Sequence, residues 1–202
     1  MAKGSLTRND IQQDPDFIEY KKNLKLSSIN PIDDPENASP QDLIDQGFAA
    51  IESEVKSELL EKLKILNPYY FEEVVLVLLE KMGYGEFTKT SKSGDGGVDG
   101  IINQDKLGLD KIYIQAKRYT DSKVREPDIR NFIGAMSGDT PKGVFVTTSS
   151  FDNSAIQKAK ESHHKIILID GESLVDLMYQ YNVGVQVSGS YEMKKVDNDF
   201  FE

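Results

Sequence analysis

The chain has 202 residues, with 24 Lys plus Arg, 34 Asp plus Glu, two His, and neither Cys nor Trp. That length suits one domain with an extension or two small ones, and 38% apolar residues suffice for a core, which excludes wholesale disorder. The lack of Cys excludes a disulfide scaffold, a zinc–cysteine site and a cysteine nucleophile, while the net charge of −10 argues at first against a polyanionic partner.

The charge is unevenly spread. Residues 1–84 hold 9 basic and 16 acidic groups, residues 85–165 hold 13 and 11, and residues 166–202 hold 2 and 7. The middle is locally basic, so a nucleic-acid partner stays open. No run approaches the roughly 20 apolar residues that span a bilayer, and the start lacks the apolar core of a signal peptide. The expectation is a soluble, cytoplasmic protein without a membrane partner.

Residues 1–39 carry Pro15, Pro31 and Pro35 and the polar run INPIDDPENAS, a linker-like composition with one possible short element at FIEYKKNLKL. Ser39-Pro40-Gln41-Asp42 has the marks of a helix start: a serine cap, proline at the first position and an acid in the first turn. Leu43, Ile44, Ile51, Val55, Leu59, Leu63 and Leu66 then recur at helical spacing, which predicts a long amphipathic helix over about 40–66. Asn67-Pro68 starts a second helix, apolar nearly all round, and Gly83 ends it.

Beyond Gly83 the period shortens. EFTKTS, VDGIIN and KIYIQAK are three short strands between Gly/Asp-rich turns. A helix at about 126–137, the strand GVFVTTS, the helix SAIQKAKES, the strand KIILID and the helix ESLVDLMYQY follow, with VGVQVS as a possible last strand. The fold class is therefore α/β, with a mixed central sheet flanked by helices and a long amphipathic helix in front.

The densest chemistry lies in SGDGGVDG, residues 93–100, and IQAKRY, residues 114–119. Residues at i and i+2 of a strand share a face, so Gln115 and Lys117 project together. If the second and third strands pair, Asp99 meets Gln115 at one sheet edge. A carboxylate, an amide oxygen and an ammonium then surround one point, a set suited to a hard cation and a phosphate. Taken singly, an Asp in a glycine-rich turn is most often only a turn residue.

Glu72 and Glu73 interrupt the apolar second helix and are not equivalent. Glu72 shares its face with Val75, Leu76 and Leu79, whereas Glu73 lies with Val77 and Glu80. A carboxylate on an apolar face needs a partner or a cation, so Glu72 is the better auxiliary acid; its place near the helix start is an equally good reason for a negative charge there. Lys89, Lys92, Arg118, Lys123, Arg125 and Arg130 surround the proposed site and are candidate phosphate contacts. Ser149 and Ser150 have no histidine at suggestive spacing, and the glycine run lacks the ending of a nucleotide loop.

From Asn67 to about Gly184 the sequence resembles the catalytic domain of Mrr-like restriction endonucleases, a branch of the PD-(D/E)XK nucleases. The resemblance is carried by NPYYFEEVVLVLLEKMGY, SGDGGVDGII, LDKIYIQAKRY, KGVFVTTSSF and KIILIDGESLVDLM, and the tail SGSYEMKKVDNDFFE looks like the family's C-terminus. It implies a restriction-endonuclease-like core over residues 67–184, preceded by the leading helix 40–66 and followed by a C-terminal strand and acidic tail, 185–202. It also implies a Mg²⁺-dependent endonuclease, with Mn²⁺ able to substitute, acting in defence on double-stranded DNA, with methylated DNA a candidate substrate, as a homodimer or higher oligomer. Asp99 takes the place of the metal-binding Asp, Gln115 stands where most of the superfamily has an acid, Lys117 is the catalytic lysine and Glu72 the first-helix acid. The Ala116 carbonyl completes the metal ligands. Members usually carry an N-terminal winged-helix reader of DNA, and residues 1–39 are too few and too polar to be one. A non-cleaving DNA-binding module, or an effector recruited by a separate sensor, is the rival reading.

Overall fold

The computed structural model describes residues 38–89, 98–103, 105, 110–136 and 142–202. The expected linker over 1–37, Lys92 and the glycine run at 93–97 lie outside the described residues, as does the side chain of Lys89. Two compact units divide the chain, Met1–Val55 and Lys56–Glu202.

In the first unit, Ser39 closes the start of helix α1 (Pro40–Ile65). The Ser39 N–H donates to Asp42 Oδ2 at 3.0 Å and the Asp42 N–H donates to Ser39 Oγ at 3.2 Å, a reciprocal cap. Leu43, Ile44 and Ile51 of the expected apolar stripe are exposed there.

The second unit contains the rest of α1 and, in order, α2 (Pro68–Lys81), β1 (Glu86–Lys89), β2 (Gly100–Asn103), β3 (Lys111–Lys117), α3 (Glu126–Ala135), β4 (Lys142–Thr147), α4 (Asn153–Glu161), β5 (Lys165–Ile169) and α5 (Gly171–Gln180). The strands form one sheet in the order β1-β2-β3-β4-β5. The first three pair antiparallel, and β3, β4 and β5 pair parallel, so the sheet is mixed as the sequence predicts. Each parallel pair is bridged by a helical crossover, α3 between β3 and β4 and α4 between β4 and β5.

Two apolar cores lie on the two faces of the sheet. On one face Leu59 and Leu63 of α1, Phe71, Val75, Leu76 and Leu79 of α2, and Leu174 and Met178 of α5 pack against Ile102, Ile112 and Ile114. On the other, Ile129 and Phe132 of α3 and Ala155 and Ala159 of α4 enclose Phe145, with Ile101 and Tyr113 at the margin. Phe132 meets the Phe145 ring edge-on at 5.6 Å. Close packing fixes the helices: a Cβ on Gly100 would stand 2.8 Å from a Leu76 methyl, and one on Gly171 2.5 Å from the Thr148 carbonyl oxygen. Among the described residues no helix is long and apolar enough to cross a membrane.

One expectation is corrected. VGVQVS, and with it the C-terminal strand after residue 185, is not a strand; the described tail is irregular apart from a short 3-10 turn at Asn198–Phe200. The apolar alternation has another origin. Asn182 turns left-handed (φ 53°), the Val183 N–H donates to the Met178 carbonyl at 2.8 Å, and the Asn182 N–H donates to that of Tyr179 at 3.4 Å. That is a Schellman stop for α5, and Val183 is the apolar plug that accompanies it. Val187 and Tyr191 beyond it are 76% and 84% exposed.

Candidate active site

The site is built where β2 and β3 pair. The ladder reaches Gly100 opposite Ile114, and just before it the Asp99 N–H donates to the Ile114 carbonyl at 2.8 Å. One step further along β3 the Asp99 carboxylate takes over from the backbone: its Oδ2 accepts the Ala116 N–H at 2.7 Å. This bond fixes the carboxylate at the edge of the pairing, beside Gln115 and the Ala116 peptide, so the predicted approach of Asp99 to the third strand is present.

Gln115 follows the strand alternation. Ile112, Ile114 and Ala116 belong to the core under α2, and Tyr113 to the core under α3, so Gln115 and Lys117 share the α3 face. Gln115 Oε1 is buried and, among the described residues, has no hydrogen-bond partner. Buried acceptors are nearly always satisfied, so an orphaned oxygen on the residue between the two that bond Asp99 calls for a partner. A hard cation takes oxygen donors, and the Asp99 carboxylate, Gln115 Oε1 and the Ala116 carbonyl supply that chemistry. The residues fit a Mg²⁺-type ion.

The electrostatics are consistent with such a site. Burial pushes the Asp99 carboxyl above the usual carboxylate range, while the Ala116 N–H and the Lys117 ammonium pull it down. An ionised carboxylate held at a cost of burial is stabilised by any cation it binds. Lys117 has a partner that sequence reasoning missed. Its Nζ donates to Asp128 Oδ1 of α3 at 2.5 Å, and the Tyr119 hydroxyl donates to the same oxygen at 3.4 Å. Burial would lower the Lys117 pKa, but the hydrogen bonds and charges of Asp128 and Tyr119 outweigh it and raise it, so the lysine is a cation at neutral pH. Burial likewise raises Asp128, and its bonds to Lys117 and the Arg125 N–H outweigh that and lower it.

Two buried threonines hold the end of β3. Thr147 Oγ1 donates to the Lys117 carbonyl at 2.7 Å. Thr148 Oγ1 donates to the Tyr119 carbonyl at 2.7 Å and accepts the Tyr119 N–H at 2.9 Å. They locate the backbone on both sides of Arg118.

The other predicted residues are placed as follows. Glu72 is half-buried and Glu73 exposed on α2, with Val75, Leu76 and Leu79 buried and Val77 and Glu80 exposed, which is the helix phase that the sequence predicts. Among the described residues no three His, Cys, Asp or Glu side chains gather as a metal cluster, so Glu72 does not complete a three-acid group. Arg118 is not displayed beside Lys117; it donates through a terminal guanidinium nitrogen to the Lys64 carbonyl, at the C-terminal end of α1 where a cation is favoured. The strand alternation could have given this, since Arg118 is in phase with Ala116 and Ile114. Lys123 and Arg125 are exposed just before α3, and exposed Arg130 lies 3.4 Å from Glu126. Lys89 ends β1, opposite Gly100. Asp152 and Asp170 act as caps, accepting the N–H groups of Ala155 at 2.7 Å and Ser173 at 2.9 Å.

Comparison with known proteins identifies the family. The family Mrr_cat, described as restriction endonuclease, matches residues 63–178. The type IV methyl-directed restriction enzyme EcoKMrr of Escherichia coli (strain K12) is 42% identical over 170 residues, which cover 82% of this chain. The chain spans 55% of that relative's length. The solved structure of the DNA modification-dependent restriction endonuclease AspBHI gives a TM-score of 0.54 at 24% identity, over 64% of this chain and 36% of that one. The MspJI restriction endonuclease in complex with a 27-mer oligonucleotide gives 0.49 at 22%, over 78% and 36%. With the family matched across more than half of its residues, and with that match containing Asp99, Gln115 and Lys117, the chain belongs to the Mrr-type restriction endonucleases.

Proposed function

We propose that this chain is the catalytic part of a divalent-cation-dependent endonuclease that hydrolyses DNA phosphodiester bonds in defence against foreign or modified DNA. The observation that carries this reading is the buried Gln115 Oε1, unpartnered among the described residues, on the residue whose peptide link to Ala116 donates to the Asp99 carboxylate. Asp99, Gln115 and the Ala116 carbonyl are the ligands, and Glu72 is an auxiliary acid acting from α2. A bound Mg²⁺, or Mn²⁺ in its place, supplies Lewis-acid polarisation of the phosphate and a lower pKa for an attacking water.

The remaining chemistry belongs to the protein. Asp99 accepts the Ala116 N–H through one oxygen and keeps the other for a ligand. Lys117, a cation held by Asp128, faces the non-bridging oxygens and stabilises the negative charge that they carry in the pentacovalent transition state, as water oxygen bonds to phosphorus and the P–O bond to the leaving oxygen breaks. Lys123, Arg125 and Arg130 are exposed around the start of α3 and hold flanking phosphates, with Lys89 and Lys92 as further contacts; Arg118 supports the site through the α1 end.

The substrate is double-stranded DNA, and the name of the 42% identical relative favours methylated DNA. One site per chain cuts one strand, so cleavage of both strands calls for a homodimer or higher oligomer. The cytoplasm is where such a substrate is met. The test is incubation of methylated and unmethylated plasmid with this chain in Mg²⁺, Mn²⁺ or EDTA. Cation-dependent nicking is the expected result; a band shift without nicking in either cation would leave a DNA-binding module.

A further inference from the structure

Asp128 joins two parts of the fold with one carboxylate. Its Oδ2 accepts the Arg125 N–H at 3.1 Å and closes the first turn of α3. Its Oδ1 accepts the Lys117 ammonium at 2.5 Å and the Tyr119 hydroxyl at 3.4 Å. The Lys117 nitrogen also lies 5.5 Å from the centre of the Tyr119 ring.

We propose that Asp128 is a positioning residue for cleavage, holding the Lys117 ammonium at a fixed point over the sheet face that carries Gln115. This inference rests on the reading of Lys117 as the cation that meets the scissile phosphate. A lysine ends four flexible bonds and carries a strongly hydrated charge, so left alone it samples many positions. One hydrogen bond to Asp128 removes most of that freedom and leaves two N–H groups for a substrate. The Tyr119 ring and hydroxyl close the other side of the pair, and Thr148 fixes the Tyr119 backbone through two hydrogen bonds. The anchor is itself anchored, because Oδ2 is committed to the cap of α3.

A purely structural role explains less. The two side chains are 37% and 20% exposed, so water screens the pair in part and its contribution to stability is modest. The cap needs only an acceptor at position 128, which asparagine also supplies. A carboxylate that reaches across to β3 does something that the cap does not require.

Asp128→Asn separates the two roles, since its side-chain oxygen can still accept the Arg125 N–H while its amide replaces the carboxylate at Lys117. With the 202-residue chain, three quantities are read: the melting temperature, the affinity for a DNA duplex in Ca²⁺, and the single-turnover cleavage rate in Mg²⁺. The expected result is melting lowered by no more than a few degrees and unchanged affinity, with a cleavage rate lowered about 10- to 100-fold, the range for a displaced reacting group. Asp128→Glu, which keeps the charge, should recover part of the rate. If Asp128→Asn instead melts far below the wild type, the Glu variant decides: partial cleavage supports the inference, and complete loss in a folded Glu variant overturns it. Wild-type cleavage by a folded Asp128→Asn overturns the inference alone. A wild-type chain that does not cut in Mg²⁺ or Mn²⁺ removes the functional reading, and this inference with it.

Discussion

Replacing Gln115 by Met keeps the length and flexibility of the side chain and removes its two polar atoms. In the wild type, Gln115 Oε1 is buried without a hydrogen-bond partner among the described residues. Such an orphan costs about 1–3 kcal/mol, and an apolar group of the same shape recovers part of it. In EDTA the Met variant should therefore be more stable by about 1–2 kcal/mol, or roughly 3–6 °C in melting temperature for a chain of this size. Mg²⁺ should reverse the ranking. A cation at a hundred times its dissociation constant stabilises the protein that binds it by about 2.7 kcal/mol, and the Met variant lacks one of the oxygen ligands. The assay is thermal unfolding of both proteins in EDTA and across a Mg²⁺ titration, with plasmid nicking beside it. The Met variant should be the more stable without cation, respond weakly to Mg²⁺ and lose most cleavage. Gln115→Glu should keep the Mg²⁺ response, because it adds an anionic ligand of nearly the same shape. A Met variant that is less stable in EDTA and responds to Mg²⁺ like the wild type would refute the reasoning, since Gln115 would then be an ordinary packed side chain.

Three further outcomes follow from the geometry. Because burial raises the folded-state pKa of Asp99 above its ordinary 3.8, its stabilising contribution is present below that value and is lost as pH rises through the folded-state value. Asp99→Asn should therefore melt higher than the wild type at neutral pH in EDTA and lose that advantage in acid, which a melting series against pH reads; an advantage that does not vary with pH contradicts it. Glu72→Gln should weaken cleavage most at low Mg²⁺ and Glu73→Gln should change little, as half-buried and exposed positions on α2 require, read from the Mg²⁺ dependence of nicking. Thr148→Val leaves the Tyr119 N–H and carbonyl without their partner and should cost about 2–4 kcal/mol in urea unfolding, whereas a change near zero would show that the threonine does not hold that strand end.

Much of this site is legible in the sequence because it rests on two local periods. The i, i+2 rule puts Gln115 and Lys117 on one face, and the helical repeat separates Glu72 from Glu73. Both hold in the structure, as do the order of the elements and the serine cap at Ser39. Asp128 was not legible: it lies 11 residues beyond Lys117 on a different element, and only the docking of α3 over β3 joins them. Applied one residue further, the strand rule would have turned Arg118 away from the phosphates and toward the α1 end. The mistaken last strand has a similar source. Val183, Val185 and Val187 alternate like a strand, but the left-handed Asn182 makes Val183 the plug of a helix end. Apolar alternation reports burial only where a partner strand exists, and none pairs with the described tail.

The central claim is that Asp99 serves a cation that cuts DNA. Its most direct test is the nicking of supercoiled plasmid in Mg²⁺ by the wild-type chain and by Asp99→Ala, with folding of both verified by circular dichroism. The account predicts Mg²⁺-dependent nicking by the wild type, abolished by EDTA, and none by a folded Asp99→Ala. Equal nicking by the two folded proteins would contradict it.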